Sequence, residues 1–218
     1  MTKRESAGRT DGGRGAAVSD PFDAIARLER RLAAARRRIA ALEAHADTDM
    51  LTGILNRRGF VRELRRSLAY ARRYGATAAL VYFDVDELKP VNDRHGHAAG
   101  DAALRHVARA LAALVRVSDV IGRLGGDEFA VLMWNVSAQD ARAKATQIER
   151  AIAAVAVACR AGPVVVGASA GVTLCGGDDE VEAVLDRADQ AMYARKRARR
   201  DAAASSGSMM AHRAAESG

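Results

Sequence analysis

The sequence predicts an α/β protein of the α+β type: a central, largely antiparallel sheet flanked by helices, with a separate helical segment ahead of it. Three observations lead there. At 218 residues, 49% of them hydrophobic, the chain can bury one sizeable core, so one domain with extensions is expected. Segments with helical periodicity alternate with short strand-type runs. One of those runs is a hairpin around a glycine turn, and no glycine-rich loop of the P-loop type is present, which sets the chain apart from doubly wound nucleotide folds.

The elements follow in order. Residues 1–20 are rich in Gly, Ser, Arg and Thr without periodicity and read as a disordered tail. Over 21–46, Ile25, Leu28, Leu32, Ala35, Ile39, Leu42 and Ala46 recur at spacings of three and four. Two arrangements answer that seam: a two-stranded coiled coil, or an amphipathic helix lying on its own domain. Isoleucine at a and leucine at d suit two strands, so a homodimer through residues 25–46 is expected.

"NRRGFVRELRRSLAYARRYG" places Phe60, Leu64, Leu68 and Ala71 on one helical face, with Asn56 as N-cap. "TAALVYFDVD" is a buried-type strand ending in acids, and "AALRHVARALAALV" is a helix through Leu104, Val107, Leu111 and Val115. "SDVIGRLGGDEFAVLM" reads as strand, glycine turn, strand. A helix capped by Ser137, a strand "VVVGASAGVTL" and a last helix through Val181, Val184, Leu185, Ala188 and Met192 complete the domain, expected over 47–200. Residues 201–218 are Ala, Ser and Gly with scattered charge and read as a second disordered tail.

Composition removes several function classes. No apolar stretch is long enough to span a bilayer, and the first twenty residues lack the apolar block of a secretory signal, so a cytoplasmic protein without membrane contact is expected. Cys159 and Cys175 lack metal-type spacing and fit a reducing compartment as small core residues. A net charge of +7 and a pI near 10.0 raise nucleic acid as a partner. Aromatics make up only 4% of the chain and none interleaves with the basic runs, so base stacking has little to work with and solvated helix faces are the better reading.

The acids are less ordinary. Asp84 and Asp86 lie two apart on a strand and so point to one face at its end. Asp127 and Glu128 follow Gly125 and Gly126 at once; the glycines accept positive φ and leave room for a ligand against the backbone. If the two strands are neighbours, three or four carboxylates converge, a cluster that a cation must neutralise. Oxygen donors without histidine or cysteine select magnesium or manganese. The competing reading makes them plain turn-capping acids.

In these residues and their surroundings the chain resembles the GGDEF family of diguanylate cyclases. The resemblance rests on "GGDEF" (125–129), "DMLTGILNRRGF" (49–60), "FDVDELKPVNDRHGHAAGD" (83–101), "SAGV" (169–172) and "ADQAMYARK" (188–196), in the family's order. It implies a fold akin to nucleotidyl cyclases and polymerase palms. The implied reaction joins two GTP molecules into cyclic di-GMP with release of two pyrophosphates, each of two facing domains holding one GTP. It further implies two Mg2+ or Mn2+ ions per half-site on Asp84, the carbonyl of Val85, Asp127 and Glu128, with Asp127 also helping to deprotonate the attacking hydroxyl.

By the same resemblance Asn92 and Asp101 bind guanine, whose N1–H and N2–H donors suit a carboxylate where adenine would leave a buried mismatch. Phosphate falls to Lys196 and Arg200, to the amides near Glu87, Leu88 and Lys89 at a helix start, and to the loop at Gly125 and Gly126. Arg116 and Asp119 stand at the offset of the family's RxxD inhibitory site, where cyclic di-GMP binds as product. The chain departs from the family at Leu88, Pro90, Val91, Arg199 and Asp201; none of these removes an implied ligand, though the last two bear on the placement of Arg200. Intact acids favour an active enzyme over a silent cyclic di-GMP effector.

Overall fold

The structure is a computed structural model that describes residues 21–160 and 162–215. The chain divides between Ala44 and His45 into a helical unit and a larger second unit. The first tail expected, 1–20, lies outside the described residues.

The described part of the helical unit is α1, Pro21–Ala46, whose last two residues fall in the second unit. Ile25, Leu28 and Leu32 of its seam are each more than half exposed, so the helix carries an apolar stripe that this unit does not itself cover. The side chains of Ile39 and Leu42 lie outside the described residues.

In the second unit, β1 (Leu55–Asn56), β2 (Ala78–Asp86), β3 (Val120–Arg123), β4 (Glu128–Trp134) and β5 (Gly167–Cys175) form a five-stranded sheet in the order β1-β3-β4-β2-β5. Only the short β1 runs parallel to its neighbour; the other three pairings are antiparallel, as the sequence predicts. The helices are α2 (Arg57–Tyr74), α3 (Leu88–His95), α4 (His97–Leu114), α5 (Ala138–Ala153) and α6 (Val181–Ala215).

Strand alternation divides the core. The odd-numbered side chains of β2, Ala79, Val81, Phe83 and Val85, pack against Leu104, Val107 and Leu111 of α4 and Ile148 and Ile152 of α5. The even-numbered Leu80 and Tyr82 pack against Phe60 and Leu64 of α2 and Val184, Ala188 and Met192 of α6. Asp84 and Asp86 continue the even series, so the strand turns polar where it leaves the α2/α6 layer. The residues that bring α6 close include Gly171: a Cβ there would lie 2.1 Å from the Met192 amide nitrogen, so no larger residue fits.

The predicted caps are present. Asn56 Oδ1 accepts the Gly59 N–H at 3.0 Å, and Ser137 Oγ accepts that of Asp140 at 3.1 Å. Two boundaries differ from expectation. β5 begins at Gly167 because Val164 instead bridges Val157, exchanging backbone hydrogen bonds of 2.7 and 2.9 Å. α6 continues to Ala215 through the stretch read as a tail, where alanines carry high helix propensity. Both cysteines are free; burial, with Asp179 nearby, pushes the Cys175 thiol up to about 11. Among the described residues no helix is long and apolar enough to cross a membrane.

Candidate active site

The two acidic motifs are brought together by the pairing of β2 with β4. Its register sets Asp84 directly opposite Glu128, with Phe83 opposite Phe129 behind them. Directly opposed residues share a face, so both carboxylates look toward the α2/α6 side. Asp127 precedes the strand, and its carbonyl accepts the Val85 N–H at 2.9 Å, locking the glycine turn onto the end of β2.

The turn is tight: the Glu128 carbonyl accepts from Leu124 at 2.8 Å and Gly125 at 3.4 Å. Its glycines meet the expectation only in part. Neither Gly125 nor Gly126 has positive φ, which among the described glycines belongs to Gly53, Gly75, Gly96 and Gly162. Gly125 instead leaves room for the Glu128 side chain: a Cβ there would stand 2.1 Å from Glu128 Oε2, so a larger residue would displace that carboxylate. Gly126 has nothing within 4 Å of its missing Cβ and leaves the rim open.

Lys196 of α6 reaches across to Asp84, its ammonium hydrogen-bonded to Oδ1. Burial pushes the Asp84 carboxyl above the ordinary carboxylate range and the charges of Asp127 and Asp86 add to the push, while Lys196 pulls the other way. Asp86 is held by Ser169 Oγ at 2.9 Å and by Arg199 at 3.4 Å, and Arg199 also donates to the Ala168 carbonyl at 2.7 Å. Burial raises the phenol of Tyr82 strongly, with the Glu128 carboxylate hydrogen-bonded to it and adding to the rise.

These residues offer hard oxygen donors, and the Lys196 ammonium shows that the rim accepts positive charge at Asp84. The expected convergence of three or four carboxylates is not met in this conformation. Among the described residues no three His, Cys, Asp or Glu side chains are grouped to hold a metal ion. The physical reason is local: Lys196 neutralises Asp84, Arg199 and Ser169 hold Asp86, and Glu128 bonds Tyr82 and folds over Gly125.

The expected guanine pair sits where α3 meets α4. Asn92 lies against Gly100, the neighbour of Asp101; a Cβ on Gly100 would be 2.0 Å from Asn92 Oδ1. That oxygen is buried without a hydrogen-bond partner, an unsatisfied acceptor of the kind a ligand N–H completes. Asp101 is half exposed and 3.9 Å from Arg105. Glu87, at φ 58°, turns the chain into α3 with no side-chain cap on the first amides; Leu88 is buried there, and Lys89 is exposed. Arg200 lies on α6, but its side chain is outside the described residues.

Arg116 and Asp119 close a separate turn between α4 and β3. Asp119 Oδ2 accepts the Arg116 N–H at 2.9 Å, and the Asp119 N–H returns to the Arg116 carbonyl at 3.0 Å.

Sequence reasoning missed Arg123. Its guanidinium grips the Gly126 carbonyl at 2.6 Å and Asp49 at 3.2 Å, tying the glycine turn to the loop before β1. Burial alone would raise the Asp49 carboxyl, but hydrogen bonds from Thr52 and the Arg123 cation hold it below the usual range. Tyr82 was also missed, though the period of two that pairs Asp84 with Asp86 includes it.

A model of the family described as "Diguanylate cyclase, GGDEF domain" matches residues 46–202, most of the chain. The chain belongs to the GGDEF family. Over 154 residues the GGDEF chain is 40% identical to diguanylate cyclase DgcP of Pseudomonas aeruginosa, covering 71% of its own length and 23% of that protein. It is 40% identical over 162 residues to the probable diguanylate cyclase DgcE of Escherichia coli, 74% of this chain and 15% of that one. It therefore spans less than a quarter of the length of either relative.

Solved structures also resemble the GGDEF chain, two crystal structures among them. One holds the coiled coil and GGDEF domain of DgcB from Caulobacter crescentus in complex with c-di-GMP, with TM-score 0.72 and 27% identity, covering 82% of this chain and 96% of that one. The other is diguanylate cyclase SiaD with its activator SiaC from Pseudomonas aeruginosa, with TM-score 0.70 and 33% identity, covering 81% and 68%.

Proposed function

We propose that this GGDEF chain is an active diguanylate cyclase that joins two GTP into cyclic di-GMP and releases two pyrophosphates. The observation that carries the reading is the strand register that opposes Asp84 to Glu128 beside an open glycine turn. Asp84, the Val85 carbonyl, Asp127 and Glu128 would hold Mg2+ or Mn2+, two ions per half-site, supplying positive charge to the triphosphate and the attacking oxygen.

The chain's own groups divide the remaining work. Lys196, together with Arg200 and the amides of Leu88 and Lys89 at the start of α3, would bind the triphosphate. Asn92 Oδ1 accepts from the guanine 2-amino group while Asp101 accepts from its N1–H side, an arrangement that adenine cannot satisfy. Asp127 takes the proton of the 3′-hydroxyl that attacks the GTP held by a facing subunit. Each domain supplies half of the reaction, so the exposed seam of α1 raises activity by holding two copies together. Arg116 and Asp119 bind the product and restrain the enzyme, the guanidinium forking guanine's acceptor edge.

A second reading, a silent cyclic di-GMP effector, draws on the engagement of Asp84 by Lys196 and the lack of a grouped carboxylate triad among the described residues. Incubating the protein with GTP or ATP and magnesium, then separating the nucleotides, decides between them. The cyclase reading expects cyclic di-GMP from GTP alone; no cyclic dinucleotide would leave the effector reading standing.

A further inference from the structure

Beyond Met192 no described residue of α6 is buried, so apolar packing ends one turn before Lys196 and polar contacts hold the helix from there. Arg195, Lys196 and Arg199 lie within an arc of about 100° on α6. Each meets an acid on another element: Arg195 meets Glu149 of α5, Lys196 meets Asp84 and Arg199 meets Asp86. The pair of Arg195 with Glu149 has no part in the chemistry assigned above, yet Arg195 is the residue next to Lys196.

Glu149 is buried, on the stretch of α5 that carries the core residues Ile148 and Ile152. A buried carboxylate needs its oxygens satisfied, and here both are. Oε1 accepts the Ala170 N–H at 2.9 Å and the Arg195 Nε–H at 3.1 Å, while Oε2 accepts from Arg195 Nη2 at 2.6 Å, so the guanidinium forks the carboxylate. Arg195 also donates to Thr146 Oγ1 at 3.3 Å. Ala170 lies on β5, the edge strand of the sheet, opposite Phe83 and one position from the pairing of Ser169 with Asp84. Its N–H points off that edge, as does the Ala168 carbonyl that Arg199 takes at 2.7 Å. α5 covers one face of the sheet and α6 the other, so the pair ties the two helical layers together across the β5 edge. A planar fork fixes direction as well as distance, and it sets the roll of α6 at the residue before Lys196.

We propose that Glu149 and Arg195 are positioning residues for Lys196, setting the roll of α6 so that the Lys196 ammonium is held over the acidic rim where the triphosphate binds. The inference rests on the reading of Lys196 as a phosphate ligand and adds two residues that touch no nucleotide. Without the fork, the turn of α6 that carries Lys196 is fastened only behind, at Met192, and ahead, at Arg199. Lys196 then loses preorganisation rather than charge.

Calorimetry of the full chain with a non-hydrolysable GTP analogue and magnesium tests this without turnover. Arg195→Met keeps an unbranched stem of good helix propensity. Analogue affinity should fall about tenfold or more, the scale of a lost charged hydrogen bond, and the melting temperature should fall because Glu149 is left buried and unpaired. Adding Glu149→Gln should restore the melting temperature, since the neutral amide still accepts the Ala170 N–H, while the affinity stays low. Lys196→Met should weaken binding by a similar factor, and Arg195→Met placed on top of it should add nothing. Affinity that recovers together with the melting temperature when Glu149→Gln is added would overturn the inference. So would additive losses from Arg195→Met and Lys196→Met, or an Arg195→Met chain that binds like the unaltered one while Lys196→Met binds poorly. The phosphate role of Lys196 survives all three of those results. Unchanged binding in Lys196→Met, or none by the unaltered chain, would overturn that role and the inference with it.

Discussion

Asp84 and Glu128 stand directly across from one another in the antiparallel ladder of β2 and β4, forty-four residues apart in sequence and on one face of the sheet. Every functional statement about the acids depends on this register, because a slip of one residue would send one of them into the opposite core layer.

Glu128→Gln keeps shape and hydrogen bonding while removing the negative charge. Turnover of GTP should fall at least about a hundredfold, since even second-layer substitutions around catalytic metals cost about 10- to 100-fold. The melting temperature should stay near that of the unaltered chain. Retained turnover in a steady-state assay would remove Glu128 from the reacting centre.

Gly100→Ala separates binding from folding. An alanine favours a helix over glycine by about 1 kcal/mol, so α4 should not weaken. Its Cβ would arrive 2.0 Å from Asn92 Oδ1, forcing that side chain aside. The expected outcome is a raised KM for GTP with thermal stability preserved; an unchanged KM would detach Asn92 from guanine recognition.

Asp49 supplies a pH test. Its carboxyl lies below the ordinary 3.8 in the folded chain, so the unfolded chain binds the proton more readily. The stability it contributes is present above 3.8 and is lost as pH falls through the lower folded value. Asp84, raised by burial, runs in the opposite direction, so the two chains must be compared at each pH. Urea unfolding of the unaltered chain beside Asp49→Asn should show a stability gap at pH 6 that narrows below about pH 4. A constant gap would mean that Arg123 does not hold Asp49 as a carboxylate.

Leu32→Asp places a charge on the exposed seam of α1. Sedimentation should shift toward monomer, and specific activity should fall most in dilute protein, where the lost effective concentration matters. Activity per molecule that does not vary with protein concentration in either chain would exclude α1 as the element that pairs the domains.

How much of this was legible in the sequence differs from residue to residue. The face shared by Asp84 and Asp86, the caps at Asn56 and Ser137 and the apolar faces of α2 and α6 follow from local periodicity, which the sequence displays directly. The pairing of Lys196 with Asp84 spans 112 positions and depends on how α6 crosses the sheet, so no local pattern carries it. The same holds for Arg123, whose partner Asp49 lies 74 positions away. β1, two residues long, shows no period at all. The positive φ expected at Gly125 is absent because the turn does not need it; the glycine's small size serves instead, leaving space that Glu128 Oε2 occupies.

Manganese titration followed by electron paramagnetic resonance, in the presence of a non-hydrolysable GTP analogue, tests the acidic rim most directly. The unaltered chain should take up Mn2+ with the nucleotide, whereas Asp84→Asn and Glu128→Gln should leave the free-ion signal nearly unchanged. Equal uptake by all three chains would contradict the assignment of these two carboxylates to the nucleotide-bound cation.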